Sequence, residues 1–418
     1  MKKPIYIGRQ PIIDNDKNIF GYEMLFRSSN ENFANIVDNL SATAGVLENI
    51  YDMGFTTLMS DKIAFINVVP HILNQEIMDL LPKERIVFEI LETSKIDETA
   101  VSIIKDFKNR GFSFALDDFV YGKEWEPIIR LSDYVKIDVK QYSKSEIKEI
   151  LLSLKNYYKI KFLAEKVELD EDFKFYKSLG FDLYQGYFFQ KPSVLSSVSL
   201  DPSYAILINI FNAFQANTDI KQIETLFKMS PELIFRLLRL INSVAYDFAM
   251  KISSLNQAIV LLGYDNVSRW ILTMIFASNK SNKGNLGSDP ILESAIVKSR
   301  TMEAICNNFI SKNLADKAFL AGMLSFVNVV LGISFEDLFK KINVDFMISN
   351  ALIGHKGKLG ELVEFMEAFY DSDYFSANNI LKKINPFATI NDILKIDSDA
   401  LMYLEAVKKS GYGFSNLI

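Results

Sequence analysis

In the first half of the chain, hydrophobic residues fall into short runs separated by amphipathic stretches. Ile5-Tyr6-Ile7, a polar turn at Asp14-Asn15-Asp16 and a run over 19–27 predict a hairpin. Runs at 63–68, 86–90, 112–116, 134–138, 161–165 and 182–187 have strand length and are rich in β-branched and aromatic residues. Helical periodicity between them predicts helices over 33–53, 72–81, 97–110, 125–131, 143–158 and 168–179. Strands that alternate with helices imply a parallel sheet, and seven or eight units in about 190 residues sit near the lower end of a (β/α)8 barrel.

The polar positions follow a second pattern. Glu23, Asn67, Glu89, Asp117, Asp118, Lys136, Asp138, Glu165 and Gln185 fall at or near the carboxyl ends of successive strands. In a barrel those ends share one face, and active sites are built there. Any one of these residues could cap the following helix. As a set they do not fit that role, because Glu, Lys and Gln are not preferred caps.

Beyond Pro192 the pattern changes. A Ser-rich linker precedes a half dominated by amphipathic helical periodicity, which places a barrel domain over 1–195, a linker over 196–201 and a helical domain over 202–418. Ser230-Pro231-Glu232 has the form of a helix start, and 278–290 reads as a flexible loop. The longest apolar run, 318–335, contains Ser325, Asn328 and two glycines and reads as a buried helix rather than a membrane span. The N-terminus carries no signal-peptide pattern, so the expectation is a cytoplasmic protein with no membrane partner.

Composition narrows the chemistry. A length of 418 residues suggests two domains, and a net charge of −6 argues against an extended surface for a nucleic-acid duplex. The single cysteine, Cys306, leaves no intramolecular disulfide and no cysteine-based zinc site. His71 and His355 are the two histidines, far apart in sequence and each expected to be structural, so a metal site must be oxygen-rich. Adjacent carboxylates such as Asp117 and Asp118 sit readily in a solvated turn. They can also converge on hard divalent cations, one carboxylate bridging two ions. Two such ions about 4 Å apart can activate water and clamp a phosphoryl centre. The residues alone therefore point to metal-assisted phosphoester hydrolysis.

Glu23-Met24-Leu25-Phe26-Arg27, Glu89-Ile90-Leu91-Glu92, Asp117-Asp118-Phe119, Lys136-Ile137-Asp138, Ala164-Glu165-Lys166-Val167-Glu168 and the run from Gln185 to Pro192 occur in the order of an EAL domain. The first half thus resembles that family of cyclic-di-GMP phosphodiesterases, which have a modified TIM (β/α)8 barrel. The resemblance implies that Glu23, Asn67, Glu89 and Asp117 hold one divalent cation, Mg2+ or Mn2+, and that Asp117, Asp118 and Glu165 hold a second. It implies that Lys136 stabilises the attacking water and the developing phosphate charge, that Gln185 orients the water, and that Arg27 meets a phosphate of cyclic-di-GMP with Asp138 nearby. The product would be linear pGpG.

Two positions depart from the family pattern. The loop after Phe119 reads Val120-Tyr121-Gly122-Lys123-Glu124 where glycine-rich residues are usual, although Glu92, the loop's usual support, is kept. Lys166 stands beside Glu165 where the family has glycine. Ser230 to Ser243, Ser253 to Ile259 and Leu261-Leu262-Gly263 resemble an HDOD domain, a helical module related to HD phosphohydrolases. The helical half holds one histidine, with Leu324-Ser325-Phe326 where an HD metal motif would stand, so a non-catalytic regulator is expected. It would contact a protein partner or the barrel. Homodimerisation through the barrel is a further possibility. The alternatives are a cyclic-di-GMP receptor without turnover and a protein-interaction scaffold.

Overall fold

The structure is a computed structural model that describes residues 5–28, 59, 62–73, 82–92, 94–119, 125–157, 159–186, 202–242, 252–277, 289–371 and 373–409. The chain separates into two compact units, Met1–Lys191 and Pro192–Ile418. The helix expected over 33–53, most of the one over 72–81, the loop 120–124, the motif from Tyr187 to Pro192, the linker and the loop 278–288 lie outside the described residues.

The first unit is a closed barrel of eight strands in chain order. The strands are β1 (Ile5–Asp14), β2 (Ile19–Ser28), β3 (Ile63–Val68), β4 (Ile86–Ile90), β5 (Ser113–Leu116), β6 (Tyr134–Asp138), β7 (Lys161–Glu165) and β8 (Leu183–Tyr184). The expected hairpin forms: Lys17 takes a left-handed φ of 63° in the turn, and Asp14 Oδ1 accepts the Asp16 and Asn18 N–H groups. The sheet is not wholly parallel as the strand–helix alternation implied, because β1 runs antiparallel to both β2 and β8. A short hairpin turn leaves no room for a crossover, so reversal of β1 is forced.

Helices α1 (Glu98–Asn109), α2 (Glu126–Ile129), α3 (Lys144–Ser153) and α4 (Asp170–Leu179) follow strands β4 to β7. Asp97 caps α1 through the Ala100 N–H, and Ser143 with Glu146 forms a reciprocal capping box on α3. Three elements are shorter than expected. The helix begun at Ser143 ends at Ser153, the one near Trp125 is a single turn, and β8 stops at Tyr184. Gly186 ends that segment with φ 142° against Val167, where a Cβ would lie 2.3 Å from the Val167 carbonyl oxygen.

Inside the barrel, Ile12, Phe65, Val87, Ala115, Tyr134, Leu163 and Leu183 form one buried cluster, packed by Phe20 and Ile63. Every strand but β2 contributes one member, through the residue that its period-2 alternation turns inward.

The second unit is helical in its described part, with α5 (Pro202–Gln215), α6 (Ile220–Lys228), α7 (Pro231–Ile241), α8 (Leu255–Leu262), α9 (Tyr264–Ala277), α10 (Pro290–Ile305), α11 (Ala315–Leu331), α12 (Phe335–Lys341), α13 (Phe346–Gly354), α14 (Gly357–Tyr370), α15 (Tyr374–Ile384) and α16 (Ile390–Lys409). The apolar run at 318–335 is two helices. Gly332 in the left-handed region closes α11, and Ser334 caps α12. By length and composition Lys312–Leu331 could cross a membrane, but 61% of its apolar window is buried in the fold. Gly322 lets α11 approach α10, since a Cβ there would sit 2.6 Å from the Ser299 Cα. The stripe Leu233, Leu237, Leu240 and Ile241 of α7 is buried, as its helical spacing predicts for a core face.

Candidate functional site

Two residues beyond each interior apolar position along a strand, the next inward side chain is polar. Phe65 is followed by Asn67, Val87 by Glu89, Ala115 by Asp117, Tyr134 by Lys136, Leu163 by Glu165 and Leu183 by Gln185. Because β1 runs the other way, the partner of Ile12 in this layer is Gln10, which pairs with Glu23 of β2. Eight strand lines thus contribute one polar residue each to a ring at the carboxyl ends of the parallel strands. Register joins part of the ring directly, Gln10 pairing with Glu23 and Asn67 with Glu89, whereas Lys136 pairs with Leu163 of the apolar layer below.

Lys136 sits at the centre of the ring. Its Nζ lies 2.7 Å from Glu89 Oε1, 2.7 Å from Asp117 Oδ1, 3.0 Å from Glu165 Oε1 and 3.4 Å from Glu23 Oε2. Lys136 and Glu89 are 0% exposed. Gln185 Nε2 donates to Glu23 Oε2 at 2.6 Å and to Gln10 Oε1 at 2.9 Å, and Asn67 Nδ2 reaches Glu23 Oε1 at 3.4 Å.

Four buried carboxylates face one ammonium, and the titration behaviour follows. Burial alone would lower Lys136, but Asp117, Glu165, Glu23 and Glu89 outweigh it and hold the ammonium well above its usual range. Glu89 is pushed up by burial, opposed by Lys136 and reinforced by Glu23 and Asp117. Glu165 is pushed up to about 8, first by burial, against the pull of Lys136, with Asp117 and Glu23 adding to the rise.

The ring fits hard cations. Its donors are all carboxylate or amide oxygens, and it has an excess of negative charge. Asn67 Oδ1, Glu89 Oε2, Glu165 Oε2 and Gln185 Oε1 are buried acceptors without a hydrogen-bond donor, while Glu89 Oε1 and Asp117 Oδ1 touch the ammonium outside hydrogen-bonding geometry. With the ammonium between them, no three His, Cys, Asp or Glu side chains among the described residues converge on a common metal position.

The remaining expected residues lie around this ring. Asp118 directly follows Asp117 in a left-handed conformation with φ 47°, and burial, then Asp117, raises its carboxyl. Asp138, at the end of β6, accepts the Lys140 N–H and the Gln141 side chain and pairs with Lys166. Glu92 is exposed in a turn after β4, and the loop it would support lies outside the described residues. Arg27 lies in β2 opposite Tyr6, with its side chain outside the described part. Gln10 was not among the residues expected from sequence. The signal that finds it is the hairpin register, which places it opposite Glu23. Both histidines pair with carboxylates away from the ring, His71 with Asp97 and His355 with Glu367.

A closed barrel with a reversed first strand, a carboxylate–lysine ring at its mouth and a separate helical unit define the class of protein. The family model of the EAL domain matches residues 54–192, and that of the HDOD domain matches residues 205–347. Cyclic di-GMP phosphodiesterase CdgJ of Vibrio cholerae is 30% identical over 373 residues, covering 88% of this chain and 85% of its own. The uncharacterized protein YuxH of Bacillus subtilis is 27% identical over 385 residues, covering 90% and 93%. Among solved structures, a standalone EAL protein from Vibrio cholerae with cyclic-di-GMP bound aligns at 26% identity and a TM-score of 0.36, over 49% of this chain and 99% of that one. The chain belongs to the EAL-domain proteins that carry a C-terminal HDOD domain.

Proposed function

We propose that the barrel hydrolyses cyclic-di-GMP to linear pGpG with divalent cations, and that the HDOD domain regulates it without catalysis. The observation that carries this reading is the buried ring, in which four carboxylates, three amides and Lys136 meet at the carboxyl end of the barrel. Relatives of known activity support the substrate: CdgJ is a cyclic di-GMP phosphodiesterase that aligns with most of this chain.

Glu23, Asn67, Glu89 and Asp117 would hold one Mg2+ or Mn2+, and Asp117, Asp118 and Glu165 a second. When bound, the ions supply an acidified water and neutralise charge on the phosphate. Lys136, already fixed by its carboxylate neighbours, meets the negative charge that develops on the phosphoryl oxygens. Gln185, anchored on Glu23 and Gln10, has its Oε1 open to accept from the attacking water. Arg27 binds a substrate phosphate, where a guanidinium fork supplies charge and geometry together. Water adds across one P–O bond of the ring, and the freed ribose oxygen takes a proton. The barrel domain covers 1–195 and the helical domain 202–418. The protein acts in the cytoplasm, and its HDOD domain contacts a protein partner or the barrel.

The test is turnover of cyclic-di-GMP by the full-length protein with Mg2+ and then Mn2+, beside Glu23→Ala. Formation of pGpG that the variant loses supports the reading. Nucleotide binding without pGpG from the wild type replaces it with a receptor, a reading that the pairing of Lys166 with Asp138 favours.

A further inference from the structure

Lys166 is a charged side chain at the barrel mouth for which the hydrolytic reading has no use. It follows Glu165 directly, where β7 ends, with a left-handed φ of 56°. That conformation is uncommon for any residue with a Cβ. Its Nζ lies 2.5 Å from Asp138 Oδ2, a carboxylate with 4% side-chain exposure. Asp138 also accepts the Lys140 N–H at 2.9 Å and the Gln141 side chain at 3.1 Å, so the chain's own donors already engage both of its oxygens. The other negative charges acting on the Lys166 ammonium are Asp118 and Glu165.

Asp118 and Glu165, with Asp117, are the group assigned above to the second divalent ion. A positive charge held on Asp138, the register partner of Glu165, repels an incoming dication. Glycine would suit the backbone at this position better than lysine, so the residue type is not dictated by the turn.

We propose that Lys166 is a built-in cation of the site. Paired with Asp138 and next to Glu165 in the chain, it makes the second divalent ion bind at least tenfold more weakly than it otherwise would. This inference rests on the metal-dependent reading of the barrel. It makes this chain a tight one-ion protein whose second ion is supplied only at higher metal concentration.

The experiment is a Mn2+ titration of the full-length protein without nucleotide, with free Mn2+ followed by electron paramagnetic resonance. The wild type is expected to bind one ion tightly and one weakly. Lys166→Gly, which suits φ 56° and so keeps the fold, should bind the second ion at least tenfold more tightly. Lys166→Gln should do the same, Lys166→Arg should behave as the wild type, and Asp118→Asn added to Lys166→Gly should abolish the gain. Two equally tight ions in the wild type, or a weak ion unchanged by Lys166→Gly and Lys166→Gln, overturns the inference and leaves the hydrolytic reading standing. No Mn2+ bound by any of these proteins overturns both.

Discussion

Among the described residues each unit buries one lysine, and the two lysines are treated in opposite ways. Lys136 of the barrel lies among Glu89, Asp117, Glu165 and Glu23, and its ammonium is held far above the usual range. Lys298 of α10 is 8% exposed, faces the Phe326 ring at 5.4 Å, and forms no ion pair with a described carboxylate. Burial therefore lowers Lys298, and Glu367 and Asp371 offset this only in part. A buried charge that is over-supplied with counter-charge is poised to meet further ions. One that is under-supplied is a local cost of packing. The barrel concentrates chemistry, whereas the polar network of the helical unit joins helix to helix, as Asp397 does by accepting from Thr301 and Tyr370.

The strongest way to break this contrast is Lys136→Met. It leaves four buried carboxylates without their cation and should destabilise the metal-free barrel by roughly 3–5 kcal/mol, read by denaturation in EDTA. Added Mg2+ should restore part of that loss, because a divalent ion neutralises the same oxygens. Gly186→Ala comes next. A Cβ at φ 142° would press on the Val167 backbone and break its hydrogen bond to the Gln185 carbonyl. Stability should fall by about 2–3 kcal/mol, and turnover should fall with the displacement of Gln185, checked by denaturation and a rate assay.

Lys298→Met should act in the opposite direction, stabilising the helical unit by about 1–2 kcal/mol at neutral pH as an unpaired buried charge is removed. The sign with pH is fixed by the lowered value. Between the folded value and the usual lysine value the unfolded chain binds more protons, so wild-type stability rises with pH through that window. Melting temperatures across alkaline pH should show the rise in the wild type and not in Lys298→Met. The smallest effect belongs to Arg236→Ala, which removes an exposed i,i+4 pair with Glu232 and should cost about 0.3–0.5 kcal/mol in the same denaturation assay.

Most of the barrel was legible because each strand carries its own alternation, and β3, β4, β6 and β7 lie where their apolar runs end. The site was legible for the same reason: Asn67, Glu89, Lys136 and Glu165 interrupt inward positions that would otherwise be apolar. What the pattern hid depends on contacts between distant segments. Gln10 joins the ring only through the reversal of β1, and Lys166 finds Asp138 on a neighbouring strand. The apolar run at 318–335 hid a helix break because Gly332 changes the backbone without changing the hydrophobic pattern.

The central claim is that the buried charge of the barrel serves catalysis and that of the helical unit does not. It is tested most directly by measuring pGpG formation from cyclic-di-GMP by Lys136→Met and Lys298→Met side by side with the wild type. The account predicts that Lys136→Met loses roughly 10²–10³-fold or more in turnover, as for removal of a charge-stabilising donor. Lys298→Met should stay close to the wild-type rate. Equal losses in the two variants, or full turnover in Lys136→Met, would contradict it.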